Sequence, residues 1–479
     1  METLKEKTAK GLFWGGISNG MVQVCSLLFG IVLARMLDAA DYGMVGMLSI
    51  FTAIAGTLQE SGFTAALANR REVRHEDYNA VFWFSFLCGL TMYCLLFLCA
   101  PLIAAFYNKP ELTPLARYVF LGFLLASTGT AHSAYMFRNL MVKQRAKATV
   151  PALLVSGIVG ISLAYCGFAY WGLATQSLVF VAVANVSFWH YSKWRPTLHI
   201  NFRPLRGMFA FSSKLLVTNV FTQVNNNFLS ALLGKFYSVG EVGHFTQSNK
   251  WCSLASYFIS GTANSVAQPV LASVADDRAR QCNVLRKMLR FTAFLSFPAL
   301  SGLALVAHEF IVITITDKWL PCVPLMQTLC LWWAFTPVVT LYSNLLMSKG
   351  KSDTYMWNTI TVSLLQLCVI FFSHNYGIAW MIRCYVALNI LYVAVWQHFV
   401  HKETGLRLLT ALCDVAPFAA ISALSMGVAW LAALPFESLY VRFGVKIAVA
   451  AAVYLGVMKV LRVRIFDEAM HFLMSRLHR

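Results

Sequence analysis

The chain has 479 residues and a formal net charge of +18; 58% of its residues are hydrophobic, 12% are charged, and the mean hydropathy is +0.63. A soluble protein carries roughly 25% charged residues, so the composition excludes an ordinary soluble enzyme and places the chain in the membrane class. The basic residues lie in short stretches between apolar runs, where membrane topology accounts for them and nucleic acid does not.

The opening METLKEKTAK leads into an apolar run at 12–34. That run is longer than the apolar core of a signal peptide and long enough to span, so no cleavable signal is expected. Further runs follow at 43–67, 80–104, 115–136, 150–168, 170–190, 208–233, 242–268, 291–315, 320–347, 355–373, 377–398, 411–433 and 440–460. They are too long and too uniformly apolar for barrel strands, and only helices or closed barrels satisfy the backbone in lipid. The expected fold is therefore all-α and polytopic, with about fourteen transmembrane helices.

With the N-terminus in the cytoplasm, most of the 38 Lys and Arg fall on the cytoplasmic side, among them Arg70, Arg71, Arg138, Lys143, Arg278, Arg286, Arg290 and Lys349. The external side holds Arg35, Lys109, Arg117, Lys235, Lys318 and Arg442. The asymmetry follows the positive-inside rule and predicts an inner-membrane protein with both termini cytoplasmic.

A shift of 200 residues lays the seventh run and its loop over the first without gaps. Asn19 falls on Asn219, Gln23 on Gln223, Leu33 on Leu233, Arg35 on Lys235, Asp41 on Glu241 and Gly43 on Gly243. Six helices separate the copies, so both enter the membrane in the same sense, as in transporters built from parallel repeats. The organisation expected is a six-helix lobe at 1–206, a second at 207–407, and two additional helices with a cytoplasmic tail at 408–479.

No Walker A sequence, GxSxG or HExxH occurs, and no loop is long enough for a nucleotide-binding domain. Neither a catalytic residue nor a metal or cofactor site is expected. The 12 cysteines are scattered, mostly within apolar runs, with no CxxC pair, and are read as apolar fillers.

Polar residues inside the spans are the informative ones, because burying them in lipid is expensive. The seventh and eighth runs carry Lys214, Asn219, Gln223, Asn226, Gln247, Asn249 and Lys250; the first adds Asn19 and Gln23, and the second Glu60. Asn219, Gln223 and Asn226 are spaced by four and three and share one helix face. Two readings stand side by side for these amides: interhelical hydrogen bonding, or the lining of a watery cavity that offers partners to sugar hydroxyls. Lys250, near mid-helix, and Lys214, nearer the cytoplasm, are candidates to hold a phosphate, although Lys214 can also snorkel. Glu60 is the candidate for coupling to a proton or cation, or for pairing with a lysine. Arg383 is a candidate anion ligand with snorkelling as its alternative. His132 and Glu309, towards helix ends, and Asp414, at the start of a run, are expected to reach solvent. Gly43 is expected to ease the turn between the first two helices.

The stretch LARMLDAADYGMVGMLSIF (33–51) resembles the first external loop of polysaccharide transporters, the Wzx-type flippases of the multidrug/oligosaccharidyl-lipid/polysaccharide exporter superfamily. ALANRREVRHEDYNAVFW (66–83), APLIAAFYNKPEL (100–112), the segment from Gly234 to Phe245 and Asp317-Lys318-Trp319 support the same resemblance, which runs over essentially the whole chain. It implies a two-lobed bundle working by alternating access on an oligosaccharide repeat unit linked to undecaprenyl diphosphate, for lipopolysaccharide or exopolysaccharide assembly. It also implies membrane lipid around the protein and a polysaccharide polymerase and glycosyltransferases as its functional partners. Within the superfamily the alternatives are a cation-coupled multidrug exporter and a lipid II flippase; a membrane enzyme would need a large external catalytic loop, and none is present.

Overall fold

A computed structural model describes residues 4–467 other than 61–66, 68–72, 140, 275, 462 and 464. The side chains of Asn19, Glu60 and Lys214 lie outside the described residues. The chain is helical, with no strand among the described residues: α1 (Leu4–Met36), α2 (Ala39–Glu60), α3 (His75–Tyr107), α4 (Leu112–Ser127), α5 (Thr130–Arg138), α6 (Val142–Tyr165), α7 (Tyr170–Tyr191), α8 (Arg203–Phe236), α9 (Val239–Ser273), α10 (Arg278–Leu305), α11 (Ala307–Ile315), α12 (Cys322–Ser348), α13 (Ser352–Ser373), α14 (Ile378–Thr404), α15 (Leu408–Ala433) and α16 (Leu439–Val460). Among the described residues ten helices are long and apolar enough to cross a membrane, and eleven when α4 and α5 are taken as one span broken by 44°. The chain is a multi-pass membrane protein.

Several helices run well past their apolar stretches. α10 begins at Arg278, 13 residues before the apolar run at 291, because a helix once nucleated propagates through polar residues at little cost. Its first turn is capped by Asp277, whose Oδ1 accepts from the Arg280 N–H at 2.9 Å.

The chain forms two compact units, Met1–Gly243 and His244–Arg479. In the first, α6 packs on α7 and α1, α3 on α4, and α2 on α8. At the break between α4 and α5, side chains of α7 add hydrogen bonds to the backbone carbonyls. Asn185 Nδ2 donates to the Leu125 carbonyl, and Trp189 Nε1 donates to that of Thr128 at 2.9 Å. His132 follows the break, and here the expectation of solvent access is wrong. The ring is fully buried, stacked on Trp189 at 4.4 Å between centroids and edge-on to Trp194 at 5.1 Å. The segment 192–202 folds back over α3, where Asn79 Nδ2 donates to the His199 carbonyl at 2.6 Å, and this cover removes His132 from solvent.

In the second unit α10 lies against α12 and α15, α12 against α14, and α15 against α16. Hydrogen bonds between helices fix these contacts: Ser296 Oγ donates to the Ala334 carbonyl at 2.7 Å, Gln366 Nε2 to Asn389 Oδ1 at 2.8 Å, and Tyr454 OH to the Phe294 carbonyl at 2.9 Å.

Asp414 and Glu309 also depart from expectation. Asp414 is 3% exposed and accepts from Arg286 at 2.7 and 3.1 Å and from Arg290 Nε at 2.6 Å. Glu309 is 1% exposed, and Lys446 Nζ donates to its Oε1 at 2.6 Å. Both carboxylates sit at helix ends, which is why they read as solvated. Their cationic partners come from helices more than a hundred positions away in sequence.

Candidate functional site

α8 changes character along its length. Towards its C-terminal end Leu229, Ala231 and Leu233 are buried, and Gly234 meets α2 and α3: a Cβ there would lie 2.8 Å from Met47 Cγ and from Tyr107 Cε1. Towards its N-terminal side Val217, Asn219 and Asn226 are exposed and Gln223 is half-buried. Asn227 Nδ2 donates to the Gln223 carbonyl at 3.0 Å, so that amide is used within the helix. Asn219 and Asn226 make no hydrogen bond among the described residues, and Gln23 on α1 is exposed as well. An amide facing hydrocarbon without a partner costs several kcal/mol, roughly 2–7. Such a face, wherever it meets lipid, needs water or a ligand beside it.

On α9, Lys250 is half-buried, and among the described residues no carboxylate pairs with its ammonium; the ring of Trp251 has its centroid 6.0 Å away. Gln247, one turn earlier, is fully buried with neither amide atom hydrogen-bonded among the described residues. Asn249 instead serves packing, its Oδ1 accepting from Trp333 Nε1 at 3.0 Å. Arg383 is exposed on α14. Asn19, Lys214 and Glu60 fall outside the described side chains.

The turns α1–α2 and α8–α9 are copies of each other. α1 ends at Met36 and α2 starts at Ala39; α8 ends at Phe236 and α9 starts at Val239. Leu37 N–H donates to the Leu33 carbonyl at 2.8 Å, and Tyr237 N–H to that of Leu233 at 2.8 Å. Asp38 N–H donates to Asp41 Oδ2 at 3.0 Å, and Ser238 N–H to Glu241 Oε2 at 3.0 Å, so each second helix is capped by a carboxylate three residues in.

The copies also touch reciprocally. A Cβ on Gly43 would overlap the carbonyl oxygen of Val239, and a Cβ on Gly243 would overlap that of Ala39. Residue 43 meets 239, and 243 meets 39, which is the pattern of a local two-fold axis. Gly43 therefore does not ease a turn, because it lies inside α2 with an ordinary helical backbone; it permits two helix starts to meet backbone to backbone.

Over residues 32–324 the chain matches the model of a family described as polysaccharide biosynthesis protein. The chain belongs to this family. Among polysaccharide biosynthesis proteins, it is 25% identical over 357 residues to the lipopolysaccharide biosynthesis protein WzxC of Escherichia coli (strain K12), covering 73% of this chain and 72% of that one. It is 22% identical to the teichuronic acid biosynthesis protein TuaB of Bacillus subtilis (strain 168), covering 82% of each. It is 20% identical to the succinoglycan biosynthesis transport protein ExoT of Rhizobium meliloti (strain 1021), covering 68% of this chain and 66% of that one.

Solved structures share the fold. The lipid II flippase MurJ in an inward closed conformation superposes with a TM-score of 0.74 at 15% identity, covering 97% of this chain and 99% of that one. An inward-facing MATE family multidrug resistance transporter of the MOP superfamily superposes with a TM-score of 0.66 at 16% identity, covering 80% and 94%. This polysaccharide biosynthesis protein thus shares the fold of the MOP superfamily transporters. The family match spans both glycine hairpins, Asn219, Gln223, Asn226 and Lys250.

Proposed function

We propose that this transporter flips an oligosaccharide repeat unit linked to undecaprenyl diphosphate across the bacterial inner membrane by alternating access, feeding lipopolysaccharide, capsule or exopolysaccharide assembly. In this proposal both termini are cytoplasmic. The two six-helix lobes, 1–206 and 207–407, part and close at the glycine hairpins, with 408–479 added to them. Lys250 holds the diphosphate as a point charge, and Lys214 and Arg383 are further stations for it. Asn219, Gln223, Asn226, Asn19 and Gln23 exchange hydrogen bonds with sugar hydroxyls, and Glu60 carries the coupling ion. Glycosyltransferases supply the lipid-linked unit, and a polymerase consumes it.

The observation that carries the proposal is the half-buried Lys250 ammonium without a carboxylate partner among the described residues. In this reading α9 crosses the membrane, and a cation held that way inside it is stabilised by an anion that visits the site. A diphosphate carrier supplies one, and the similarity to WzxC, TuaB and ExoT, proteins of lipopolysaccharide, teichuronic acid and succinoglycan biosynthesis, supports polysaccharide assembly as the setting.

A cation-coupled drug exporter is the second reading. It needs a membrane carboxylate free to bind the cation, and Glu60, whose side chain lies outside the described residues, is the candidate that both readings share. Among the described residues the buried carboxylates are engaged: Asp77 accepts from the Arg74 N–H, Glu309 pairs with Lys446, and Asp414 pairs with Arg286 and Arg290.

The test is flipping of a fluorescent polyprenyl-diphosphate oligosaccharide in vesicles reconstituted with the wild type, Lys250→Gln and Lys250→Arg. A drop of about tenfold in Lys250→Gln, with activity retained in Lys250→Arg, is the expected outcome and corresponds to about 1.4 kcal/mol. Unchanged flipping in Lys250→Gln would exclude the anion site. Flipping of lipid II at the same rate as the polysaccharide unit would favour the lipid II reading instead.

A further inference from the structure

In the unit His244–Arg479, at the helix ends opposite the Asp414 cluster, a cavity of about 330 Å³ is lined by His308, Glu309, Gln327, Trp430, Arg442 and Lys446. Its charges do not balance. The Glu309 Oε1 carboxylate oxygen is taken by Lys446 Nζ at 2.6 Å, and the same ammonium donates to the Leu305 carbonyl at 3.2 Å, so Lys446 is neutralised and fixed. Arg442 Nε forms a looser ion pair with the same Glu309 oxygen at 3.9 Å and has no hydrogen-bond partner among the described residues, so two cations share one carboxylate. The other carboxylate oxygen, Glu309 Oε2, is buried and equally without a partner. One positive charge is therefore left over, on a side chain that is 36% exposed.

The surroundings say where this charge lies in the bilayer. Trp430 is half exposed at the cavity, and the adjoining end of α15 and start of α16 expose Leu431, Leu434, Tyr440 and Val441. Exposed aliphatic side chains beside Trp and Tyr form the band in which a membrane helix meets head groups. Gln327 Nε2 donates to the Ala304 carbonyl at 3.2 Å, which leaves its carbonyl oxygen at the cavity as an acceptor.

We infer that this cavity is a lipid-phosphate site: Arg442 grips the phosphate, Gln327 accepts from a head-group hydroxyl or amine, and Trp430 covers the glycerol or polyprenyl portion. The guanidinium fork suits phosphate oxygens better than a point charge does. The buried Glu309–Lys446 pair keeps Arg442 poised at the rim, because Lys446 has already met the carboxylate that would otherwise retract it. The phosphate can come from a bilayer phospholipid or from a lipid-linked diphosphate. The site belongs to α11, α12, α15 and α16, and it does not depend on the role assigned to Lys250.

The experiment is native mass spectrometry of the full chain released from detergent micelles, titrated with phosphatidylglycerol or undecaprenyl diphosphate. Arg442→Gln and Arg442→Lys are compared with wild type and with Lys109→Gln, an exposed loop cation elsewhere. Arg442→Gln is expected to retain lipid about tenfold more weakly, the scale of one charge-assisted contact. Arg442→Lys is expected to fall between it and wild type, with Lys109→Gln unchanged. A loss confined to phosphatidylglycerol assigns the site to bilayer lipid, and a loss confined to undecaprenyl diphosphate assigns it to the carrier. Equal retention of both probes by both Arg442 variants overturns the inference, as does an equal loss in Lys109→Gln. Should Arg442→Gln fail to fold, Arg442→Lys, which keeps the charge beside Glu309, carries the same test.

Discussion

The glycine hairpins of the first unit and the C-terminal helices of the second are joined to their neighbours in opposite ways. Where α2 and α9 begin, the contact is backbone on backbone, with Gly43 against Val239 and Gly243 against Ala39 and each carboxylate turned to its own helix cap. α15 and α16 are clamped to α10 and α11 by buried carboxylates at both ends: Asp414 with the partly exposed Arg286 and Arg290, and Glu309 with the buried Lys446. The first contact can open without stranding a charge. The second cannot, because removing one partner leaves the other ion buried. In the proposed alternating-access cycle, the glycine contact is the one that parts and the ion-paired contacts are the ones that travel as a block.

The largest effect expected is on that block. Glu309→Ala strands Lys446 and should lower unfolding stability by about 4 kcal/mol, read from intrinsic tryptophan fluorescence on heating in detergent. Replacing both partners, Glu309→Gln with Lys446→Met, should bring stability back to within about 1 kcal/mol of wild type. If the double variant is as unstable as Glu309→Ala, the clamp is not electrostatic. Asp414→Ala comes next, at about 3 kcal/mol, because Arg286 and Arg290 are 31% and 43% exposed and part of their charge can turn to water.

The hairpin contact should respond in the other currency, conformation. Gly43→Val or Gly243→Val is expected to cost only about 1–3 kcal/mol of stability, as overpacking does. Each should nevertheless force the helix starts apart, raising the labelling of a cysteine placed at Ala39 by a membrane-impermeant maleimide and abolishing flipping. Normal flipping in both valine variants would show that the contact does not have to close. The smallest stability effect is expected on the open face of α8: Asn219→Leu and Asn226→Leu should change stability by no more than about 0.5 kcal/mol. Flipping should still fall several-fold in the vesicle assay if these amides meet sugars, and an unchanged rate would return them to a packing role.

Several features were legible in residue order. Helices could be read because lipid leaves the backbone no other way to satisfy itself. The hairpin repeat could be read because the 200-residue offset aligns Gly43 with Gly243, Arg35 with Lys235 and Asp41 with Glu241, and short-range hydrogen bonds follow from local sequence. Lys250 stood out because one ammonium in an apolar run is anomalous wherever the helix is placed.

The misread residues share a cause. Glu309, Asp414 and His132 each sit near a helix end, where sequence predicts water, and each is covered by a distant segment: Lys446 from α16, Arg286 and Arg290 from α10, and residues 192–202 folded back over α3. The sequence alone determined that this is a multi-pass membrane protein of helical build with a duplicated hairpin, since hydrophobic length and charge asymmetry act locally along the chain. Only the tertiary structure decided which charges are neutralised, which glycine serves packing instead of turning, and where a cation is left without its anion. Those outcomes depend on desolvation and on partners brought within about 4 Å, and residue order does not encode either one locally.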